Sequence, residues 1–424
     1  MAWLLVICAI PYLGIPLYLF FSGRKFKYGL SGKAKIYSTA GRLEGSIELT
    51  STQRILAASG VDGAKLNQSL ELLPTGVTAY NRLIEIIHGA QTSIHITTFI
   101  FGNDPVGRAV VAALAERASA GIDVRVLVDS LGATLISHPS FAQFTSAGGK
   151  VAYFMPVLHL PFRGRTNLRN HRKLMVVDGT VAVLGGMNLA QEYMGPTEDA
   201  NRWIDLGLQL KGACVGDLEK IFLQDWAYAT HSPAPAIPVS VVASRTGEIL
   251  AQVVASGPDV VGDPLYDLLF NAINEAKKSV WIVTPYFIPD ESLMKALELA
   301  VKRGVAVHVI IPQASNHRMA DLARGSFVRQ LISVGVDFGF YPRMIHAKAF
   351  LVDGELAILG SANLDMRSLL LNYELGLVIY DSTTLRDVKE WIRQRHGETV
   401  QGLLKSGFWR EIGEGIGRAI GPIL

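Results

Sequence analysis

Two stretches, "NHRKLMVVDG" at residues 170–179 and "IHAKAFLVDG" at residues 345–354, share one arrangement of polar residues. In each, a histidine is followed by a lysine two residues later and by an aspartate five residues after that, just before a glycine. Each lysine is followed 15 residues later by an asparagine in a small-residue turn, "GGMN" in the first copy and "GSAN" in the second. A cassette that recurs with the same internal spacing predicts a chain built from two equivalent halves.

The segments around the two cassettes alternate between helical and extended patterns in the same order. Helical patterns cover residues 80–89, 106–120, 264–276 and 291–303. Strand patterns cover residues 92–101, 122–130, 278–288 and 305–312. Strand, helix and strand in this order favour parallel pairing. We therefore expect an α/β fold of two halves related by a pseudo-twofold axis, with mixed sheets flanked by helices.

The predicted organisation has four parts. They are an anchor at residues 1–22, a basic segment at 23–65, a first half at 66–235 and a second half at 236–424. A proline-rich stretch, "HSPAPAIPVS" at residues 231–240, suits a linker between the halves. The first half carries 11 additional residues between Pro156 and His171, which we expect to form an exposed loop.

The N-terminus predicts a membrane anchor. Residues 3–21 hold no charge, and as a helix they would span about 28 Å of a hydrocarbon core about 30 Å thick. Positive charges follow the apolar run, at Arg24, Lys25, Lys27, Lys33 and Lys35. The positive-inside tendency then places the rest of the chain in the cytoplasm. No basic residue precedes the run and no cleavage site follows it, so a retained helix is favoured over a secretory signal.

The overall composition limits the remaining possibilities. Hydrophobic residues make up 49% of the chain and charged residues 18%, which permits a large core. The formal charge of +3 does not indicate nucleic acid as a partner. Two cysteines, with no His-Glu-x-x-His pattern, offer neither a disulfide framework nor a recognisable catalytic metal site, so we expect no cofactor.

The duplicated cassette suits chemistry on a phosphate diester. Lys173, Lys348, Asn188 and Asn363 can neutralise and hydrogen-bond its non-bridging oxygens. One imidazole, of His171 or His346, can attack phosphorus to form a phosphohistidine while the other protonates the leaving alkoxide. Two histidines are needed because attack and departure take place on opposite sides of phosphorus. We expect each copy to supply half of one site.

Other polar residues have simpler interpretations. Asp178 and Asp353 belong to the motif, but their position before glycine at a strand end favours a turn or salt-bridge role over proton transfer. Asp205 and Glu374 lie in strand-like stretches after their asparagines, where a carboxylate could fix the tautomer of an imidazole. Three of the histidines outside the cassettes are predicted to be structural: His95, His308 and His317.

At these residues the sequence resembles the phospholipase D superfamily, whose signature is His-x-Lys-x4-Asp followed by Gly-Gly/Ser-x-Asn. Among its branches the chain is most similar to bacterial cardiolipin synthases. The similar stretches include "NLRNHRKLMVVDG", "GPTEDANRWIDLGLQLKG" and "MIHAKAFLVDGELAILGSANLDMRSLLLNYELGL". The resemblance implies metal-independent conversion of two phosphatidylglycerols to cardiolipin and glycerol at the bacterial inner membrane, with His171 as nucleophile. It departs in two respects, since many such synthases have two N-terminal membrane helices where this sequence predicts one, and this chain is shorter.

Several alternatives stay open at this point. Water could replace the lipid acceptor, giving a phospholipase D, and other branches use phosphatidylethanolamine or a different alcohol. A nuclease of the same superfamily and an inactive scaffold that binds anionic lipid are further alternatives. Apolar and basic residues of the predicted loop at 157–167 suit a headgroup boundary or packing on the protein. The tail spaces Ile412, Ile416 and Ile420 on one helical face, which suits a membrane surface or the protein body equally.

Overall fold

The structure, a computed structural model, describes residues 7, 10–12, 14, 33, 35–37, 50–135, 138, 140–156, 168–233, 247–402, 407, 414 and 415. Within these ranges no helix has the length and apolar character needed to cross a bilayer. Apart from a few isolated positions, the span predicted at residues 3–21 lies outside them, as do the loop at 157–167, most of the linker and most of the C-terminal tail.

The helices and strands follow the predicted alternation in both halves. The first half contains α1 (Ser51–Ala58), β1 (Lys65–Leu73), α2 (Gly76–Gly89), β2 (Ser93–Thr98), α3 (Pro105–Ser119), β3 (Asp123–Asp129), α4 (Ser130–Leu135), α5 (Ala142–Ser146), β4 (Lys150–Phe154), β5 (Leu174–Val177), β6 (Val181–Gly185), β7 (Gly207–Gly212) and α6 (Cys214–Thr230). The second half contains β8 (Ile249–Ser256), α7 (Pro264–Glu275), β9 (Ser279–Val283), β10 (Phe287–Ile288), α8 (Glu291–Lys302), β11 (Ala306–Pro312), α9 (Arg318–Ser333), β12 (Asp337–Tyr341), β13 (Ala349–Val352), β14 (Leu356–Gly360), β15 (Leu364–Asp365), α10 (Met366–Leu370), β16 (Glu374–Ile379) and α11 (Ser382–Gly397).

Fourteen of these strands form one continuous mixed sheet. Its order is β12-β11-β9-β13-β14-β16-β8-β1-β7-β6-β5-β2-β3-β4. The order is symmetric about the central pair, because each strand of one half has a counterpart at the same distance from the centre. The two halves meet where β1 pairs antiparallel with β8.

The pairing confirms the predicted parallel units and adds antiparallel ones. Strand β2 pairs parallel with β3, and β9 pairs parallel with β11, as the strand-helix-strand order predicts. The strands that follow the cassettes, β5 and β13, run antiparallel to β2 and β9. Each cassette therefore enters the sheet from the edge at which the parallel strands β2 and β9 end.

Local sequence explains where the helices begin. Asp104 caps α3 by accepting a hydrogen bond from the Gly107 N–H, with Pro105 at the first helical position. Asp290 caps α8 in the same way, accepting from the Leu293 N–H. Both aspartates satisfy amides that the helix leaves without a partner.

A shared core holds the halves together. Buried apolar side chains from both halves, among them Leu174, Val254 and Leu375, belong to one contiguous cluster. Helix α6 packs against strands of both halves, including β4, β5, β7 and β8. From the second half, the Trp391 indole of α11 donates to the Pro74 carbonyl at 3.3 Å. This packing brings the two cassettes towards the junction.

Candidate active site

Each cassette is held by the opposite half of the chain. His171 and His346 lie in extended segments just before β5 and β13. The His171 N–H donates to the Tyr373 carbonyl at 2.9 Å, and the His346 N–H donates to the Ile204 carbonyl at 2.6 Å. Both histidines are therefore positioned by backbone that is distant in sequence.

The carboxylates that contact the imidazoles are also exchanged between the halves. Nδ1 of His171 lies 3.0 and 3.1 Å from the two carboxylate oxygens of Glu374. Nδ1 of His346 lies 2.7 Å from Oδ2 of Asp205. Because an ionised carboxylate only accepts, the ring proton is placed on Nδ1. A neutral ring then keeps the lone pair on Nε2, the nitrogen available for attack or for accepting a proton.

Small residues of the predicted turns support these carboxylates. A Cβ at Gly186 would lie 2.5 Å from Oδ1 of Asp205, so this close approach requires glycine. The equivalent position in the second half is Ser361, whose hydroxyl donates to Oε2 of Glu374. The shorter carboxylate thus packs against a glycine, and the longer one is held by a hydroxyl.

The two lysines are buried beside the histidines. Nζ of Lys173 donates to the His171 carbonyl at 2.7 Å, and Nζ of Lys348 lies 3.0 Å from Nε2 of His346. Burial lowers the pKa of Lys173 to about 7, and repulsion by Lys348 adds to this. Burial likewise lowers the pKa of Lys348 to about 8. Both ammonium groups are poorly solvated and therefore suited to an arriving anion.

The electrostatics couple the two cassettes. Burial and the neighbouring Lys348 lower the pKa of His346 to about 3, against the opposing effect of Asp205. Burial also lowers the pKa of His171, which Glu374 partly offsets. Lys348 acts on His171, and Lys173 acts on His346, each lowering the pKa. Both imidazoles are neutral near pH 7, and each responds to the cation of the other half.

The two asparagines, Asn188 and Asn363, differ in the hydrogen bonds that their side-chain amides make. Oδ1 of Asn188 accepts from the Ile100 N–H at 3.1 Å, which fixes the orientation of its amide. Nδ2 of Asn363 donates to the Ser368 hydroxyl at 3.2 Å. Among the described residues, the buried Oδ1 of Asn363 has no hydrogen-bond partner.

The motif aspartates stabilise turns. The Asp178 carboxylate accepts from the N–H groups of Gln91, Thr92 and Ser93 at 2.7–3.2 Å. The Asp353 carboxylate accepts from three consecutive N–H groups, those of residues 277–279, at 2.7–2.8 Å. Both aspartates have positive φ, 52° and 55°, which suits Asp before Gly in a turn. Among the described residues these bonds involve no imidazole, so the geometry gives both aspartates a turn role and adds no support for a catalytic one.

A buried ion network at the first cassette was not recognised in the sequence. Nη1 of Arg172 donates to the Asp225 carboxylate at 2.8 and 2.9 Å, and Nη2 lies 3.2 Å from Asp259. Nε of Arg172 donates to the Glu374 carbonyl at 3.2 Å, which connects this network to the backbone of the residue that orients His171. One signal was available in the sequence. Because His171 and Lys173 share one face of an extended segment, Arg172 between them points to the opposite face. That face is apolar, so the guanidinium needs buried partners of opposite charge.

The same network includes Lys33. In the sequence, Lys33 is one of the positive charges that follow the apolar run. Its side chain is 1% exposed and pairs with Asp259 at 2.6 Å and with Asp225. Nearby, the Tyr37 hydroxyl accepts from the Ala255 N–H at 2.8 Å. This part of the basic segment is therefore packed into the catalytic body.

A cavity of about 360 Å³ lies between the halves beside Asp205. The indole of Trp203 lines it, together with three arginines and three carboxylates: Arg202, Arg343, Arg395, Glu198, Asp199 and Asp205. The Trp203 ring is 5.5 Å from the His346 ring, centroid to centroid. A cavity of mixed charge with one aromatic wall, next to an imidazole, is suited to a polar group.

Comparisons with known proteins agree with this arrangement. The family described as "Cardiolipin synthase, PLD-like domain" matches residues 83–226 and 269–396. The major cardiolipin synthase ClsA of Bacillus subtilis is 32% identical over all of this chain and 93% of its own length. A cardiolipin synthase of Clostridium perfringens is 30% identical over all of this chain and 94% of its own.

A solved structure has the same fold. The crystal structure of phosphatidylserine synthase from Haemophilus influenzae superposes with a TM-score of 0.67, covering 88% of this chain and 100% of the other. The identity of 16% limits this likeness to the fold.

Proposed function

We propose, because this chain belongs to the cardiolipin synthase family with phospholipase D-like domains, that it transfers a phosphatidyl group from one phosphatidylglycerol to another. The products are cardiolipin and glycerol. The observation that carries this proposal is the exchange of orienting carboxylates, since Glu374 serves His171 and Asp205 serves His346. An exchange of this kind suits one site that uses both imidazoles, with one nucleophile and one proton carrier.

In the first step, Nε2 of His171 attacks phosphorus of the donor lipid. The bond from phosphorus to the glycerol headgroup oxygen breaks, and His346 delivers a proton to that oxygen. Both rings are neutral in the free protein. The charge of the bound phosphodiester raises the pKa of His346, so the ring can carry the second proton once substrate is present. We assign the nucleophile to His171 because its side chain is the more open of the two, 14% exposed against 5%.

In the second step, a hydroxyl of the acceptor lipid attacks the phosphohistidine. His346 takes the hydroxyl proton, the phosphorus–nitrogen bond breaks, and His171 returns to its neutral form. Lys173, Lys348, Asn188 and Asn363 bind the non-bridging oxygens, whose charge grows in both transition states. The lysines regain full protonation as the anion arrives.

The cavity beside Asp205 has room for the headgroup of an acceptor lipid. Arg202, Arg343 and Arg395 can hold the phosphate of the second phosphatidylglycerol while its headgroup hydroxyl approaches phosphorus. Water as acceptor would have no use for the cavity.

We further propose that residues 3–21 anchor the chain in the bacterial inner membrane with the catalytic body on the cytoplasmic side. The uncharged run and the basic residues after it, such as Arg24 and Lys25, support this orientation. Substrate lipids then reach the site from the cytoplasmic leaflet.

A reconstituted assay tests the proposal. Full-length protein in mixed micelles of phosphatidylglycerol and detergent, with chelator present, should yield cardiolipin and glycerol in equal amounts, measured by mass spectrometry and an enzymatic glycerol assay. His171→Ala and His346→Ala should each abolish both products. His95→Gln is a matched control, because His95 is also buried against a carboxylate but lies outside the cassettes. Phosphatidate as the main product would replace this function by a phospholipase D activity, and absence of turnover by the intact protein would contradict it.

A further inference from the structure

Two imidazoles and a carboxylate meet at the outer edge of the second half. His308 lies on β11, Asp337 begins β12, and His396 lies in the last turn of α11. Nδ1 of His308 is 2.8 Å from Oδ2 of Asp337, and Nε2 of His396 is 2.9 Å from the same oxygen. The donor atoms all lie within 4.8 Å of one another.

This cluster is separate from the catalytic site. Strands β11 and β12 are the two outermost strands at one edge of the sheet. His308 pairs in register with Trp281 in the middle of β9, and Asp337 stands at the start of β12. The catalytic cassette lies near the other end of these parallel strands, where the Thr284 hydroxyl after β9 accepts from the Leu364 N–H.

The contact between His396 and Asp337 does not have the geometry of a hydrogen bond. Although Nε2 of His396 is 2.9 Å from the carboxylate oxygen, it is buried and has no hydrogen-bond partner among the described residues. A ring N–H at this nitrogen would not point at the oxygen. A cation bound by these donors, after a small rotation of the His396 ring, uses the otherwise unsatisfied nitrogen.

Neighbouring side chains fix the three donors in place. The His308 ring stacks on Trp281 with centroids 3.8 Å apart and planes 14° from parallel. The His396 ring meets the same indole edge-on at 5.3 Å. Nε2 of Gln401 donates to Oδ1 of Asp337 at 2.9 Å, which leaves Oδ2 directed at the imidazoles. Donors held in this way lose little freedom on binding an ion.

We propose that His308, Asp337 and His396 bind a divalent transition metal ion of the zinc type. Two imidazole nitrogens and one carboxylate oxygen form a donor set that zinc accepts, and water completes a tetrahedral site. Ligand bonds of about 2.0–2.1 Å place tetrahedral donors about 3.3 Å apart. The present separations of 2.8 and 2.9 Å require the side chains to open by only about half an ångström. Their side-chain exposures of 23, 30 and 23% leave a path for the ion and its water.

The bound ion has a structural role. It joins the two outermost strands to the end of α11, the helix that reaches the first half through Trp391 and Pro74. The transferase chemistry needs no contact with it. Metal binding should therefore raise thermal stability while leaving turnover at moderate temperature unchanged.

Zinc binding by the full-length protein in detergent tests this assignment. Protein stripped with chelator and dialysed is given one to three equivalents of zinc chloride, and retained zinc is measured after gel filtration. We expect one retained equivalent in the intact protein and in His171→Ala, which removes a catalytic imidazole as an alternative ligand. We expect none in His308→Ala or His396→Ala. The melting temperature should rise by about 2 °C or more on zinc addition only where zinc is retained.

Two further variants make the result decisive. Asp337→Asn keeps the shape of the side chain but removes its charge, so it should weaken zinc binding about tenfold or more even if a histidine variant fails to fold. His88→Ala removes an exposed imidazole, 3.7 Å from the Glu116 carboxylate, and should retain the full equivalent. Equal zinc retention by the intact protein and Asp337→Asn overturns the proposal, as does absence of retained zinc in the intact protein.

Discussion

Glu374→Gln tests whether the exchanged carboxylate controls the state of His171. Glu374 is fully buried, and its oxygens accept from Nδ1 of His171 at 3.0 and 3.1 Å and from the Ser361 hydroxyl. Glutamine keeps the shape but replaces one acceptor by an NH2 group. If its oxygen faces Ser361, the NH2 group faces Nδ1 and favours the tautomer with the proton on Nε2. The nucleophilic lone pair is then lost.

The expected effect is large because two losses combine. A hydrogen bond to a charged group contributes about 1.5–3 kcal/mol, or roughly 10- to 150-fold in rate. Loss of the correct tautomer adds to this, and the analogous aspartate-to-asparagine substitution in a serine protease triad costs roughly 10⁴-fold. We therefore expect kcat to fall about 10³- to 10⁴-fold with KM within a few-fold. Removing the carboxylate also lowers the pKa of Lys173 further, since Glu374 raises it.

The assay compares cardiolipin formation by Glu374→Gln and by a matched control. Glu219→Gln removes the same charge from a second buried pair, in which Glu219 lies 2.6 Å from Nδ1 of His95. The control should keep kcat within about threefold. Its free energy of unfolding should fall about as much as that of Glu374→Gln, because both variants lose one buried carboxylate. Activity above a tenth of normal in Glu374→Gln, or equal losses of kcat in both variants, would refute this reasoning.

Three further perturbations test other parts of the account. Because burial lowers the pKa of Lys173 to about 7, kcat/KM should fall as pH rises through about 7–8. Lys173→Arg stays charged and should move this fall to higher pH. A pH profile that is the same in both proteins would contradict the role of the lysine. Lys33→Met removes one of the cations, beside Arg172, that face the buried Asp225 and Asp259. It should therefore lower the free energy of unfolding in denaturant by about 3–5 kcal/mol. A change below about 1 kcal/mol would argue against the network. Asp178→Asn weakens a turn and should lower the free energy of unfolding by about 1–3 kcal/mol. The kcat of the folded protein should stay within about threefold. A loss of kcat of about 10³-fold would instead give this carboxylate a chemical role.

The repeat and the positions of most helices and strands could be predicted from the sequence, because they depend on local patterns. The parallel units around β2 and β9 follow from short apolar runs separated by amphipathic helices. The equal interval from Lys173 to Asn188 and from Lys348 to Asn363 depends only on counting.

The exchange of carboxylates could not be predicted in the same way. Asp205 and Glu374 were identified as candidates by their position after each asparagine, but nothing in either segment indicates which imidazole it contacts. That choice is made by the packing of the halves across β1 and β8. Hydrogen bonds that join residues 141 and 203 positions apart follow from that packing alone.

Lys33 and His308 illustrate a second limit. A lysine in a polar stretch gives no sign that its side chain is 1% exposed, because its partners Asp225 and Asp259 lie far along the chain. His308 was predicted to be structural because no ligand pattern surrounds it in sequence. Its two neighbours come from a strand and a helix that meet it only in the fold.

Trapping the covalent intermediate tests the central claim that the two halves form one site. His346→Ala cannot supply the base for the second step, so with a phosphatidyl donor that carries a good leaving group it should accumulate one phosphatidyl group per chain. Mass spectrometry under non-acidic conditions should locate that group on His171. Two groups per chain, or modification of each half independently of the other, would contradict a single shared site.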